Sequence, residues 1–148
     1  MAITIGTAAP PVEGLDLAGP RILVFYKTTC SVTVMAAGAL AGFGEAFPGR
    51  VAGIGQDRAV DLAAFAASHG WDFPQLPDLA PYPASNAYGI ASAPTVVVVG
   101  GDDTVLDVVE SWDRDGENRA AAAFAALVGA GPVTISTPDD GLPGFKPG

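Results

Sequence analysis

The chain has 148 residues, 49% of them hydrophobic and 16% charged, a composition suited to one globular domain with a real apolar core. Its 7 Lys and Arg face 16 Asp and Glu, a formal net charge of -9, and no basic cluster offsets that balance locally. Such a surface repels phosphate backbones and anionic lipid, which excludes nucleic acid and membrane surfaces as expected partners.

In chain order, the opening MAITIGTAAPPVEG carries neither a basic leader nor an apolar core of signal-peptide length, so a cytoplasmic location is expected. No apolar run approaches the roughly 20 residues of a membrane span. Ile22 to Tyr26 is a continuous apolar run, the pattern of a strand buried on both faces. From Val32, apolar residues recur at Ala36, Ala39, Leu40, Phe43 and Phe47, one stripe of a helix that Pro48-Gly49 stops. Gly38, Gly42 and Gly44 each cost that helix about 1 kcal/mol against Ala, and close packing on a sheet is the expected reason for them.

Val51 to Ile54 predicts a second strand. A second helix then carries Leu62, Phe65 and Ala66 on one face and closes at Gly70. The segment WDFPQLPDLAPYP reads as a proline-rich connection, and Ala84 to Tyr88 as a short helix. Thr95 to Val99 is the most hydrophobic strand, Gly100-Gly101-Asp102-Asp103 a hairpin turn, and Thr104 to Glu110 the returning strand. A final helix over roughly Glu117 to Val128 would bury Ala120, Phe124, Leu127 and Val128. This order predicts an α/β domain: a central mixed sheet, parallel at its start and antiparallel at its end, with helices on both faces. The domain should occupy residues 1–130. Residues 131–148 form a Pro/Gly-rich tail, expected to dock through Val133 to Ile135.

Cys30, the only cysteine, lies in FYKTTCSVT, where the first strand gives way to the first helix. A sulfur in the first turn of a helix meets unpaired backbone N–H groups and the positive end of the dipole. That setting favours negative charge on sulfur, and the thiolate is the reactive form. Lys27 can add positive charge if its side chain turns inward, and Thr33, three residues on, can donate a hydrogen bond to the sulfur. The plain alternative is a small apolar filler behind the helix, a frequent role for free cysteine.

At these residues the chain resembles the thioredoxin-like superfamily. The C-x-x-C site of that family reads here Cys30-Ser31-Val32-Thr33, with threonine in place of the second cysteine. The family's cis-proline loop before a hairpin reads here Ala93-Pro94-Thr95. The opening IGTAAPPVEGLDL is similar to the lead-in of redoxin and TlpA-type members, and the resemblance spans about residues 3 to 130. It implies a three-layer thioredoxin-like fold, Cys30 as nucleophile, Ala93 as the residue whose backbone pairs with a bound peptide, and Pro94 as the wall of the groove. It implies no bound cofactor; the partners would be a low-molecular-weight thiol or a protein thiol or disulfide.

With no second cysteine, a dithiol reductase cycle is excluded for this chain, which leaves monothiol exchange resolved by an external thiol. Peroxide reduction is the second chemistry, but the peroxiredoxin motif P-x-x-x-T-x-x-C would need proline and threonine where Leu23 and Lys27 stand. A binding module that keeps the fold and has lost the chemistry is the rival from another class.

Other groups carry less. His69, at the end of the second helix, reads as a dipole or cap partner. One cysteine and one histidine cannot assemble a soft-ligand metal cluster. Asp113-Arg114-Asp115-Gly116 lacks ligands of a calcium loop at Ser111 and Ala122. Asp102-Asp103 and Asp139-Asp140 read as turn residues with solvated charge. Trp71 and Trp112 read as core.

Overall fold

The computed structural model describes residues 3–148. Strand β1 (Arg21–Tyr26) is buried at every residue: Ile22 to Tyr26 are an apolar run between two covering layers, and Arg21 at its start pairs with Asp103. Helix α1 (Ser31–Ala46) leads to β2 (Val51–Gly55), which runs parallel to β1 with Ile22 opposite Val51. Helix α2 (Ala59–His69) buries Leu62, Phe65 and Ala66 and ends at Gly70, whose φ of 70° is the left-handed conformation that glycine takes without penalty.

Strand β3 (Gln75–Pro77) and helix α3 (Pro83–Ala87) precede the hairpin of β4 (Thr95–Val99) and β5 (Val105–Glu110). Strand β6 (Trp112–Asp113), helix α4 (Arg114–Val128) and strand β7 (Phe145–Lys146) follow. The main sheet has the order β3-β2-β1-β4-β5, with β4 antiparallel to both β1 and β5; β6 and β7 form a separate antiparallel ribbon.

Side-chain alternation along the strands splits the core in two. Ile22, Val24, Tyr26, Val96 and Val98 pack with residues of α1, α2 and α4, among them Leu40, Leu62 and Phe124. Leu23, Phe25, Ala52, Ile54, Val97 and Val99 form the second cluster with Tyr88, joined by Ala84 of α3 and by Ile3, Val12, Leu15 and Leu17 of the first segment. The expected three-layer α/β arrangement is present, and its layers are unequal: three helices on one face, one short helix and an irregular segment on the other. That segment is pinned by Tyr88, whose hydroxyl donates to the Pro10 carbonyl at 2.7 Å, and by a bridge from Ala8 to Thr104.

The sequence reading is corrected at four places. The proline-rich connection contains β3, which pairs only with β2; an edge strand tolerates Pro77 because one side of it needs no donor. Helix α4 begins at Arg114, three residues before the expected Glu117, and Gly116 in its first turn permits the approach: a Cβ there would lie 2.8 Å from Val109 Cγ1. Leu127 is 46% exposed, because the buried stripe of α4 passes through Glu117, Ala120, Ala121, Phe124 and Ala125 instead. The glycines of α1 do not serve the sheet. A Cβ on Gly44 would meet Phe73 at 2.5 Å and one on Gly42 would touch Ile135 at 3.4 Å, while Gly38 faces open space.

The tail packs on the domain. Ile135 is buried in the larger core cluster with Val133 and Leu142 against it. Asn118 of α4 accepts from the N–H groups of Ile135 and Ser136 at 2.8 and 3.1 Å and donates to the Ser136 carbonyl at 2.8 Å. Beyond it, Arg114 donates to the Leu142 carbonyl at 2.6 Å, and the Trp112 indole N–H to the Pro143 carbonyl at 2.7 Å.

Candidate active site around Cys30

Cys30 is the N-cap residue of α1, with extended backbone at φ -78° and ψ 122°. Its carbonyl accepts the N–H of Val34 at 3.0 Å, the bond that starts the helix, and its own N–H donates to the Lys27 carbonyl at 3.1 Å. Among the described residues no side chain, the Cys30 sulfur included, caps the helix, so the N–H groups of its first turn keep no side-chain partner at the end that carries Cys30. The strand that delivers Cys30 is wholly buried, and the loop between them is tied down where Asp57 accepts the Thr28 N–H at 2.8 Å. A half-buried thiol on a rigid mount results.

Opposite stands the loop entering β4. The Ala93–Pro94 peptide bond is cis, Pro94 is buried, and Thr95 braces the loop by donating to the Ser92 carbonyl at 2.8 Å. The Cys30 thiol donates to the Ala93 carbonyl, with Sγ 3.4 Å from the oxygen. The fold thus joins two sequence motifs 63 residues apart. Between them lies a cavity of about 240 Å³ whose walls include Lys27, Cys30, Gln56, Ile90 and Ala93.

Thr33 does not act as expected. It is fully buried, and its hydroxyl has no hydrogen-bond partner, so the bond to sulfur is absent. The geometry explains this: Val32, Thr33, Ala36, Ala37 and Leu40 form the inward stripe of α1, while the N-cap turns Cys30 toward the Ala93 loop. Lys27 is exposed and lines the cavity. His69 packs on Phe65 with ring centroids 4.3 Å apart and planes tilted by 45°, and Trp71 donates to the Ala37 carbonyl at 2.8 Å beneath α1.

Two buried ionisable groups flank the core of the site's scaffold. Burial, and then the charge of Asp57, push the Tyr26 phenol up, and its hydroxyl donates to Gln75 Oε1 at 2.7 Å. Burial likewise holds the Glu117 carboxyl well above the usual carboxylate range; Asp113 and Asp107 act in the same direction and Arg119 opposes them. Neither Glu117 oxygen has a hydrogen-bond partner. Among the described residues no group of three or more His, Cys, Asp or Glu side chains is placed to hold a metal ion, and no helix is long and apolar enough to cross a membrane.

Three features of the site escaped the sequence reading. Asp78 is buried and organises α3, accepting from the N–H groups of Ala84 and Ser85 at 3.0 and 2.8 Å and from the Ser85 hydroxyl at 2.6 Å. Asp57 fixes the Thr28 turn. Both are ordinary loop aspartates in sequence, and only the later position of their partners gives them a role. The third feature is Gly148, which lines the same cavity as Cys30.

No protein-family model matches the chain, and no curated protein does. Solved structures do. A solution structure of a thioredoxin-like protein in its oxidised form superposes with a TM-score of 0.70 at 14% identity, over 84% of this chain and 99% of that one. A secreted Mycobacterium tuberculosis disulfide oxidoreductase homologous to E. coli DsbE gives 0.57 at 22% identity, over 72% of this chain and 81% of the other. The peroxidoxin BcpB of Mycobacterium tuberculosis gives 0.59 at 24% identity, over 74% and 80%. With its mixed five-stranded sheet, its strand-to-helix cysteine and the proline loop opposite, the chain has the thioredoxin-like fold.

Proposed function

We propose that the protein is a thiol redox protein in which Cys30 carries out monothiol disulfide exchange. The observation that carries this reading is the sulfur itself: half-exposed, at the open N-terminus of α1, 3.4 Å from the Ala93 carbonyl on a shared cavity. First-turn N–H groups stabilise the negative charge that an attacking or departing sulfur carries.

In the first step the Cys30 thiolate attacks one sulfur of a disulfide R–S–S–R′. A bond forms between Cys30 and R–S, the S–S bond breaks, and R′–S⁻ leaves and takes up a proton. In the second step an external thiol attacks the mixed disulfide, forms a bond to R–S, and returns Cys30 as a thiol. The net result exchanges one disulfide for another, so no external oxidant or reductant is required. The second thiol has to come from outside because the chain holds 1 cysteine.

In this reading Ala93 offers its backbone to the substrate, Pro94 shapes the groove, and the exposed Lys27 attracts the carboxylates of a low-molecular-weight thiol. Thr33 serves by packing beneath the first turn. No bound cofactor takes part. The cytoplasm, where small thiols are kept reduced, is the compartment that suits such a cycle.

Peroxide reduction is a second reading, favoured by the likeness to a peroxidoxin. There the Cys30 thiolate would take the terminal oxygen of a peroxide, releasing water or an alcohol; one external thiol would then condense with the sulfenic acid to a mixed disulfide and water, and a second would release Cys30 as a thiol and leave the disulfide of the two. Among the described residues no arginine lines the Cys30 cavity to bind the peroxide, and this chemistry therefore comes second.

A turnover assay tests the first reading. With a glutathionylated peptide as substrate and reduced glutathione in excess, the native protein releases peptide thiol catalytically. Cys30→Ser should lose about 100-fold or more of that rate. Equal rates for the two proteins would end the proposal.

A further inference from the structure

The tail does more than pack on α4. After Pro143 it runs as β7 antiparallel to β6, with Phe145 opposite Asp113 and Lys146 opposite Trp112. The Arg114 N–H donates to the Gly144 carbonyl at 2.9 Å, and the Gly148 N–H donates to Ser111 Oγ at 3.1 Å. Because Thr95 pairs with Glu110, Ser111 lies beside the Ala93–Pro94 loop, so this arm is led along β6 to the proline loop. Gly148 meets Ala93 there. A Cβ built on Gly148 would overlap the Ala93 carbonyl oxygen, which is also the acceptor of the Cys30 thiol. Only a residue without a side chain fits.

From this contact we infer that residues 143–148 act as a size filter on Cys30. When closed, the arm covers the Ala93 main chain that the exchange reading offers to a peptide or protein substrate, and it leaves the half-exposed sulfur open through a cavity of about 240 Å³. That space is smaller than a usual drug-sized ligand pocket of about 300–1,000 Å³. The substrates that reach Cys30 past the closed arm are therefore low-molecular-weight thiols and disulfides. A macromolecular disulfide reaches it only when the arm lifts. The arm is built to lift: Phe145 is 58% exposed, and what holds the arm beyond Pro143 is a two-residue ribbon and single hydrogen bonds to Ser111 and Arg114.

The inference rests on the reading of Cys30 as an exchange nucleophile, but its test does not. The full chain is treated with N-ethylmaleimide and, separately, with a maleimide carried on a long polyethylene glycol chain. Both reagents share one reacting group, so the ratio of their rate constants cancels the intrinsic reactivity of the thiol and reports access. Two variants open the arm without touching the core: Gly148→Val, whose side chain cannot sit on the Ala93 carbonyl, and Lys146→Pro, which lacks the N–H that the pairing with Trp112 uses.

The ratio of large-reagent to small-reagent rate should rise about tenfold in each variant, while the small-reagent rate changes by about twofold or less. A ratio equal in all three proteins would overturn the filter and leave the exchange reading standing. A native protein that neither reagent labels would also overturn it, since the arm would then close the site to everything. Loss of the exchange reading has a different signature, a Cys30→Ser protein that still turns over glutathionylated peptide.

Discussion

Two largely irregular segments dock on this domain, one at each end of the described chain, and they are held by different forces. The first segment lays Ile3, Ala9, Val12, Leu15 and Leu17 on the face of the sheet that carries Phe25 and Tyr88. It takes the place of a helix layer there, and water would wet the second core cluster without it. The last segment buries Ile135, and beyond that residue it is fastened mainly by polar contacts to Asn118, Arg114, Trp112 and Ser111. Apolar burial contributes about 25 cal/mol for each Å² removed from water, whereas a hydrogen bond exchanged against water nets only about 0.5–1.5 kcal/mol. The first segment is therefore part of the core, whereas the last contributes Ile135 to the core and continues past Pro143 as the arm. That arm reaches Cys30.

The largest effect that could break this comparison lies under the first segment. Tyr88 is 1% exposed, its ring centroid is 4.9 Å from that of Phe25, and its hydroxyl holds the Pro10 carbonyl. Tyr88→Ala should cost about 3–5 kcal/mol in denaturant unfolding, because it leaves a cavity and frees the segment together. A cost below about 1 kcal/mol would mean that the first segment is not integral.

A smaller effect sharpens the other side. Asn118→Ala removes three hydrogen bonds to Ile135 and Ser136, and should cost about 1–2 kcal/mol. Its signature is local: in amide hydrogen exchange, residues 133–148 should exchange faster while β1 and β4 keep their protection. Equal loss of protection in the sheet would show the arm to be as much a part of the cooperative core as the first segment.

The same division explains what the sequence made legible. The junction around Cys30 could be read because its signals are local: an apolar run, a thiol, a helical stripe. The proline loop could be read because Ala93-Pro94-Thr95 directly precedes four valines. Leu127 was misplaced because a periodicity scheme turns leucine inward, and the packing of α4 at Gly116 rotates the stripe so that Glu117 is buried and Leu127 is not. Strand β3 was hidden by its prolines. The path of the arm was invisible, since it depends on contacts such as Trp112 to Pro143, 31 residues apart, made by residues with no pattern of their own. Docking at Val133 to Ile135 could be guessed from apolarity, but its seat on Asn118 could not.

In the folded protein the sulfur of Cys30 should both form and give up a mixed disulfide. Intact mass after treatment of the native protein with oxidised glutathione measures this directly. One glutathione should add, at Cys30, and a second incubation with a small reduced thiol should remove it completely. An unchanged mass under conditions that modify the unfolded chain would contradict the account, because the fold would then hold the thiol out of reaction.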